Sequence, residues 1–337
     1  MFYFPGFLRA GTEMGILNLI KSLTNYEIIV AYIDEASSPA MLEEMSKYAK
    51  VINIAEESFD TYEVDTLVTC RYYNNCESAL DKIKRKRTFF WLHTTGNFFL
   101  SHKVDFTDID KIIFVSQTSK EKMIEIKPGN QKVTDGVVIN NLVNFEEILF
   151  KSQEKLDVEF DDELKIITVA RFSPLKGYGR MAHLAQQLKD RKVNFKWYVI
   201  ASDNPTPAGR EAAKTIKELL APHRDCFVFL GEQTNPYKFI KQCDYLALLS
   251  DRETWGIVIT EAKILGVPCI VTNFATAHEQ ITDDVNGVIL DLDDLGSYQT
   301  RLDDILERRD YYKENLKNFN YDEQTIINAW HNLLQES

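Results

Sequence analysis

Ser250-Asp-Arg-Glu253-Thr-Trp-Gly256-Ile257-Val258-Ile-Thr-Glu261-Ala262-Lys-Ile-Leu-Gly266-Val-Pro268 is the stretch that settles how this chain folds. An apolar run, Tyr245 to Leu249, stands before it and another, Cys269 to Val271, stands after it, so the segment reads as strand, loop, helix and strand. Gly256, Ile257 and Val258 fall in the first turn, where main-chain amides have no partner within the helix. Those amides, at the positive end of the helix dipole, suit a phosphate. Glu253 sits in the loop before the helix. Glu261 lies more than one turn in, where a carboxylate can meet a hydroxyl-rich ligand. Anion donors and sugar acceptors thus share one end of the sheet.

Upstream, Leu164 to Ala170 reads as a strand that opens into Arg171-Phe-Ser-Pro-Leu-Lys176-Gly177, followed by a helical pattern over Tyr178 to Leu188. Arginine and lysine on one loop can converge on a diphosphate, the first as a fork and the second as a point charge. Further strands are expected at Lys196 to Ala201, Phe227 to Leu230 and Gly287 to Leu290, and closing helices at Leu302 to Leu306 and Ile326 to Leu334. The first half has the same rhythm: strands at Phe2 to Phe4, Ile28 to Ile33, Val51 to Ile54, Leu67 to Thr69, Phe89 to Leu92, Lys111 to Ser116 and Val137 to Asn141. Helical segments are expected at Ile16 to Leu23, Ala40 to Tyr48, Glu77 to Lys84 and Thr118 to Ile126. Strands alternating with helices make a parallel sheet covered on both faces. Ligands of such sheets bind at the carboxyl ends of the strands. His93 stands there, at the end of Phe89 to Leu92, and Pro5 to Glu13 reads as a loop leading into the first helical pattern. Between Asn144 and Asp162 the sequence turns acidic and aperiodic, which places a domain boundary.

At 337 residues, the chain is comfortable for two domains. With 39 basic against 51 acidic side chains its net charge is −12, which argues against nucleic acid as the main partner. The five cysteines, Cys70, Cys76, Cys226, Cys243 and Cys269, form no C-x2-C pair; three of them lie beside or within apolar runs and read as small buried thiols, and a reducing, cytoplasmic setting is expected. No run of apolar residues is long enough to span a membrane, and the start of the chain lacks a signal-peptide pattern. The dense basic run Lys82 to Arg87 has two open readings, a contact with anionic lipid and a solvated helix end.

Glu253, seven residues and Glu261, trailed by Ala262, Gly266 and Pro268, resembles the nucleotide-sugar signature of GT-B glycosyltransferases, in particular the large retaining family four, glycosyl transferases group 1. Arg171, Lys176 and Gly177 stand where that family carries its diphosphate-binding pair. The resemblance covers nearly the whole chain. It implies an α/β protein of GT-B fold, two Rossmann-like domains with parallel sheets facing across a donor/acceptor cleft. Residues 1–148 with the crossover helix 322–337 would form the acceptor-binding domain and 149–321 the nucleotide-sugar domain. It also implies retaining, metal-independent transfer of a sugar from a nucleoside diphosphate to an acceptor hydroxyl. Arg171 and Lys176 would take the diphosphate with the Gly256, Ile257 and Val258 amides, Glu253 and His93 the donor sugar, and Glu261 the ribose. Gly11, Thr12 and Asn140 would complete the site. No cofactor is implied. The acceptor would be a sugar or a lipid-linked oligosaccharide of bacterial cell-surface polysaccharide, made in the cytoplasm or at the inner face of the membrane. Two alternatives stand beside this: a catalytically silent partner subunit that binds acceptor, and another GT-B activity such as a phosphorylase or epimerase. Ser202 to Pro205 departs from the family's glycine-rich turn. Asp108-x-Asp110 and Asp291-x-Asp293 read as solvated turns, and Walker, G-x-G-x-x-G, H-E-x-x-H and G-x-S-x-G motifs are absent.

Overall fold

Short β-branched and aromatic runs, separated by helices, assemble into two parallel sheets, one in each of two units: Met1–Val143 with Asp322–Ser337, and Asn144–Tyr321. The computed structural model describes the chain apart from residues 5, 7–10, 34–36, 55, 57–61, 71–82, 94–105, 157–159, 161–163, 202–205 and 337. Thr94 to Asn97, Ser202 to Pro205, Cys76 and the stretch 77–82 of an expected helix therefore lie outside the described residues.

The first unit's sheet is built from β1 (Phe2–Tyr3), β2 (Ile29–Tyr32), β3 (Lys50–Asn53), β4 (Glu63–Thr69), β5 (Lys84–Leu92), β6 (Lys111–Phe114) and β7 (Val137–Val138), in the order β3-β2-β1-β4-β5-β6-β7. Its central strands are buried on both sides. Thr88 to Leu92 is a continuous buried run, as a doubly covered strand requires. The terminal helix Glu323–Gln335 joins this unit because Trp330 packs edge-on against Trp91, ring centroids 4.8 Å apart, and against Phe2 at 6.4 Å.

The basic run departs from expectation. Lys84 to Arg87 begins strand β5 and does not end a helix. Its side chains alternate between exposed and half-buried with the strand's period of two. Lys86 meets Asp65 at 2.5 Å, and Arg85 donates to Thr88 Oγ1 at 2.8 Å. Arg87 donates to Thr66 Oγ1 and to Leu334 O, both at 2.9 Å, and to Glu336 O. The last two bonds satisfy carbonyls at the end of the terminal helix, which lack partners of their own.

The second unit's sheet comprises β8 (Leu164–Val169), β9 (Phe195–Ile200), β10 (Phe227–Gly231), β11 (Tyr245–Leu248), β12 (Cys269–Thr272) and β13 (Gly287–Leu290), in the order β10-β9-β8-β11-β12-β13. Its core gathers Trp197, Tyr178, Tyr245, Tyr298 and Tyr312, each no more than 2% exposed. Buried Thr168 stitches three strands: its hydroxyl accepts from Trp197 Nε1 at 3.0 Å and donates to Ala247 O at 2.8 Å. The stretch after Asn144 is not aperiodic. Phe145–Ser152 is a helix, with Asn144 as N-cap accepting from the Glu147 amide at 2.8 Å and two glutamates in its first turn. This helix packs on Tyr237–Ile240 and belongs to the second unit, so the units divide at residues 143 and 144.

Candidate active site

Strand order in the second sheet reverses at β8. From there the chain runs outward through β9 and β10 on one side and through β11, β12 and β13 on the other. The β8/β11 seam is therefore the switch point, where loops leaving the carboxyl ends diverge and open a crevice. Arg171, Lys176 and Gly177 follow β8, and Glu253 and Gly256 follow β11. The fold brings these loops together.

Their closeness is enforced by the backbone. Gly177 lies at φ +69°, and a Cβ there would stand 1.7 Å from Leu249 O, so only glycine lets the two loops touch. The Asp251 amide donates to Leu175 O at 2.9 Å. Arg180, which carried no signal in the sequence, donates to Leu249 O at 3.2 Å, to Asp251 Oδ1 at 2.5 Å and to Leu292 O at 3.2 Å, binding the ends of β11 and β13 to the helix Tyr178–Asp190.

Lys176 Nζ donates to Glu253 Oε1 at 2.6 Å, and Ser250 Oγ donates to the same oxygen at 2.7 Å. Thr276 Oγ1 holds the Glu253 carbonyl at 3.2 Å. Both of these bonds fall on Oε1, and among the described residues Oε2 has no partner, which leaves it for a ligand. An ammonium has three N–H donors and Glu253 uses one of them. The Arg171 guanidinium makes no hydrogen bond or ion pair among the described residues, so its fork of donors is available as well.

Gly256, at φ +77°, is the residue before the helix Ile257–Ile264, whose first amides point out of its N-terminus. One turn in, Glu261 is 8% exposed, and among the described residues its carboxylate accepts a single bond, from Tyr237 Oη at 3.1 Å. Burial pushes its carboxyl up to about 7, against the smaller opposing effect of the tyrosine. Tyr237 was absent from the sequence-derived site. It is set by Asn235, whose Oδ1 accepts the Tyr237 amide at 3.1 Å while its Nδ2 donates to Lys151 O at 2.8 Å.

A raised carboxyl pKa makes folding favour the protonated form. The stability it contributes is complete below the unfolded value and is lost as pH rises through about 7. At pH 8 the ionised buried carboxylate costs up to about 3 kcal/mol. Glu261→Gln keeps the shape and the tyrosine bond without the charge. It is expected to melt above wild type at pH 8 and close to it at pH 5, as checked by thermal melts at both values.

The remaining candidates lie in the first unit. Gly11 and Thr12 are not in a loop: they form the first turn of the helix Gly11–Ser22, which follows β1. His93 comes directly after β5, its ring 4.4 Å from that of Trp91. Val137–Val138 is shorter than the expected strand, and Asn140 beyond it donates from Nδ2 to Val115 O at 3.0 Å. All four stand at the carboxyl edge of the first sheet, after β1, β5 and β7. Among the described residues, no three His, Cys, Asp or Glu side chains gather as a metal site would need. Asp291 closes its own turn by accepting from the amides of Asp293 and Asp294 at 2.8 and 3.0 Å. Of the cysteines, Cys70, Cys226, Cys243 and Cys269 are buried and in no disulfide, and no helix among the described residues is long and apolar enough to cross a membrane.

A family model for glycosyl transferases group 1 matches residues 150–322, just over half of the chain and the unit that holds these loops. The chain belongs to that family. Among curated relatives, the N-acetyl-alpha-D-glucosaminyl L-malate synthase of Bacillus anthracis is 36% identical over 70 residues, 21% of this chain and 18% of that protein. The N,N'-diacetylbacillosaminyl-diphospho-undecaprenol alpha-1,3-N-acetylgalactosaminyltransferase of Campylobacter jejuni is 26% identical over 193 residues, 56% of this chain and 48% of that one. The chain thus spans less than half the length of either relative. The crystal structure of Anabaena Alr3699/HepE in complex with UDP and glucose superposes with a TM-score of 0.78 over 100% of this chain and 99% of that one, at 16% identity. The fold is GT-B.

Proposed function

We propose that this group 1 glycosyltransferase moves a sugar from a nucleoside diphosphate sugar to an acceptor hydroxyl, with retention at the anomeric carbon and without a metal. One observation carries the proposal: Lys176 and Glu253 meet at 2.6 Å across the switch point of the second sheet, beside the open amides of the helix Ile257–Ile264. A cation, a carboxylate and a helix N-terminus on one crevice suit a ligand that is a diphosphate at one end and a polyol at the other.

The bond between the anomeric carbon and the diphosphate oxygen breaks with its electron pair leaving on the phosphate. Negative charge grows on the diphosphate and positive charge on the sugar ring. In this reading Arg171, Lys176 and the amides of Gly256, Ile257 and Val258 take the growing negative charge, which is where preorganised donors lower the barrier. Glu253 Oε2 takes donor-sugar hydroxyls, and Glu261 takes the ribose diol. The acceptor oxygen forms the new bond on the face the diphosphate vacates, and its proton passes to the departing phosphate oxygen. Neither carboxylate acts as nucleophile.

UDP-sugars are the donors to test first, since Alr3699/HepE was crystallised with UDP and glucose. The acceptor is proposed to be a lipid-linked glycan of a cell-surface polysaccharide; the name of the Campylobacter relative supports the lipid link alone, through its diphospho-undecaprenol-borne sugar. It is assigned to the carboxyl edge of the first unit, with Gly11, Thr12, His93 and Asn140. Lys84 to Arg87 is left out of any membrane contact because Arg85, Lys86 and Arg87 are engaged within their own unit. Proton NMR of the anomeric region during turnover of an α-linked donor tests the chemistry. The new linkage is expected to be α, and a β linkage would refute retention.

A further inference from the structure

The phosphate cradle depends on which way two peptide groups face, and Gly256 makes that orientation soft. Glycine visits left- and right-handed backbone regions at similar cost, so the peptides on either side of it can rotate unless something pins them. The structure contains a pin. Gln280 closes the short helix Ala277–Gln280 after β12 and is 5% exposed. Its Nε2 donates to Trp255 O and, at 3.4 Å, to Gly256 O. Thr260 Oγ1 donates to its Oε1 at 2.7 Å. Two carbonyls on one side and a hydroxyl on the other fix which end of the amide is which.

Lys263 holds the pin itself. It is 8% exposed, donates to Gln280 O at 2.7 Å and lies 4.3 Å over the Phe319 ring. The network is buried and chained, so each bond polarises the next.

In a planar trans peptide the C=O and N–H point opposite ways. With Trp255 O turned toward Gln280, the Gly256 N–H must face away from it; Gly256 O is held by the Ile259 amide at 2.9 Å and more loosely by Gln280, and this turns the Ile257 N–H outward as well. We propose that Gln280 is a positioning residue: it orients the Gly256 amide for the diphosphate before the ligand arrives, and supports the Ile257 amide that the helix's first bond already turns outward. This rests on the donor site described under Proposed function. Nothing in the sequence pointed to Gln280, because its partners lie 17 to 25 positions away in the chain.

The test uses the full chain and calorimetry with three matched pairs of probes: UDP and uridine, GDP and guanosine, ADP and adenosine. In Gln280→Leu the Gly256 amide loses its orientation while Glu261 keeps the ribose. Affinity for the nucleoside diphosphate is expected to fall about tenfold, one net hydrogen bond's worth, with the matching nucleoside unchanged. Thr260→Val, nearly isosteric, removes only the bond to Oε1 and should weaken the diphosphate by a smaller factor, again sparing the nucleoside. It decides the matter should Gln280→Leu fail to fold. Parallel losses for diphosphate and nucleoside, or no loss for either, would overturn the proposal. If wild type binds none of the diphosphates, the donor site falls first and Gln280's role with it.

Discussion

Replacing Lys176 by alanine is expected to lower kcat/KM for the nucleotide-sugar by about 100-fold or more, the usual cost of removing one preorganised charge from a leaving-group site. Two effects add. The diphosphate loses a cation in a crevice where Lys176 is 22% exposed and Glu253 12%. Glu253 is also left with Ser250 as its side-chain donor, so its charge faces the incoming diphosphate uncompensated. The second effect can be isolated. Adding Glu253→Gln to Lys176→Ala removes the repulsion, so nucleoside diphosphate binding should partly recover even though transfer does not. Steady-state kinetics and a binding cycle over the four proteins check both statements. A Lys176→Ala enzyme within a few fold of wild type would mean that Lys176 is only a structural partner of Glu253.

Gly177→Ala should be the most damaging single methyl group in the second unit. The residue sits at φ +69°, where any side chain costs about 1 kcal/mol or more. The new Cβ would also stand 1.7 Å from Leu249 O and 3.1 Å from the Arg180 guanidinium. Leu249 ends the run behind β11 and cannot retreat without pulling that strand from β8 and β12. A total of about 3–5 kcal/mol is expected, in the range reserved for changes that strain the backbone and break packing together. The loops bearing Lys176 and Glu253 should separate, so nucleotide binding is lost along with stability. Gly179→Ala is the control two residues away: its Cβ would meet nothing within 4 Å, and inside the helix it should be neutral or stabilising by about 0.5–1 kcal/mol. Thermal melts of the two variants should therefore move in opposite directions, and a Gly177→Ala protein that melts with wild type would contradict the touching loops.

Much of this was legible in the chain because the relevant signals are local. Apolar runs such as Tyr245–Leu248 and Cys269–Thr272 name their own strands, and Glu253, Gly256 and Glu261 keep fixed offsets from the helix between them. The Arg171 to Gly177 loop was found from residue type alone. What escaped depends on partners distant in sequence. Ser250, Tyr237, Arg180 and Gln280 are ordinary residues until the fold sets them against Glu253, Glu261, Asp251 and Trp255. Two misreadings have local causes. Lys84 to Arg87 looked like a helix end because its charges hid the period-two pattern of a strand that begins at a sheet margin. Phe145–Ser152 looked aperiodic because its eight residues give barely two turns of pattern, although Asn144 and the glutamates behind it formed a cap that could have been recognised.

The most direct measurement is calorimetric titration of the wild-type chain with UDP, GDP, ADP and TDP. A single nucleoside diphosphate is expected to bind, and to bind more tightly than its nucleoside, because the site pairs a diphosphate cradle at Lys176 and Gly256 with a diol acceptor at Glu261. Binding of none of the four would contradict a donor site at the β8/β11 seam.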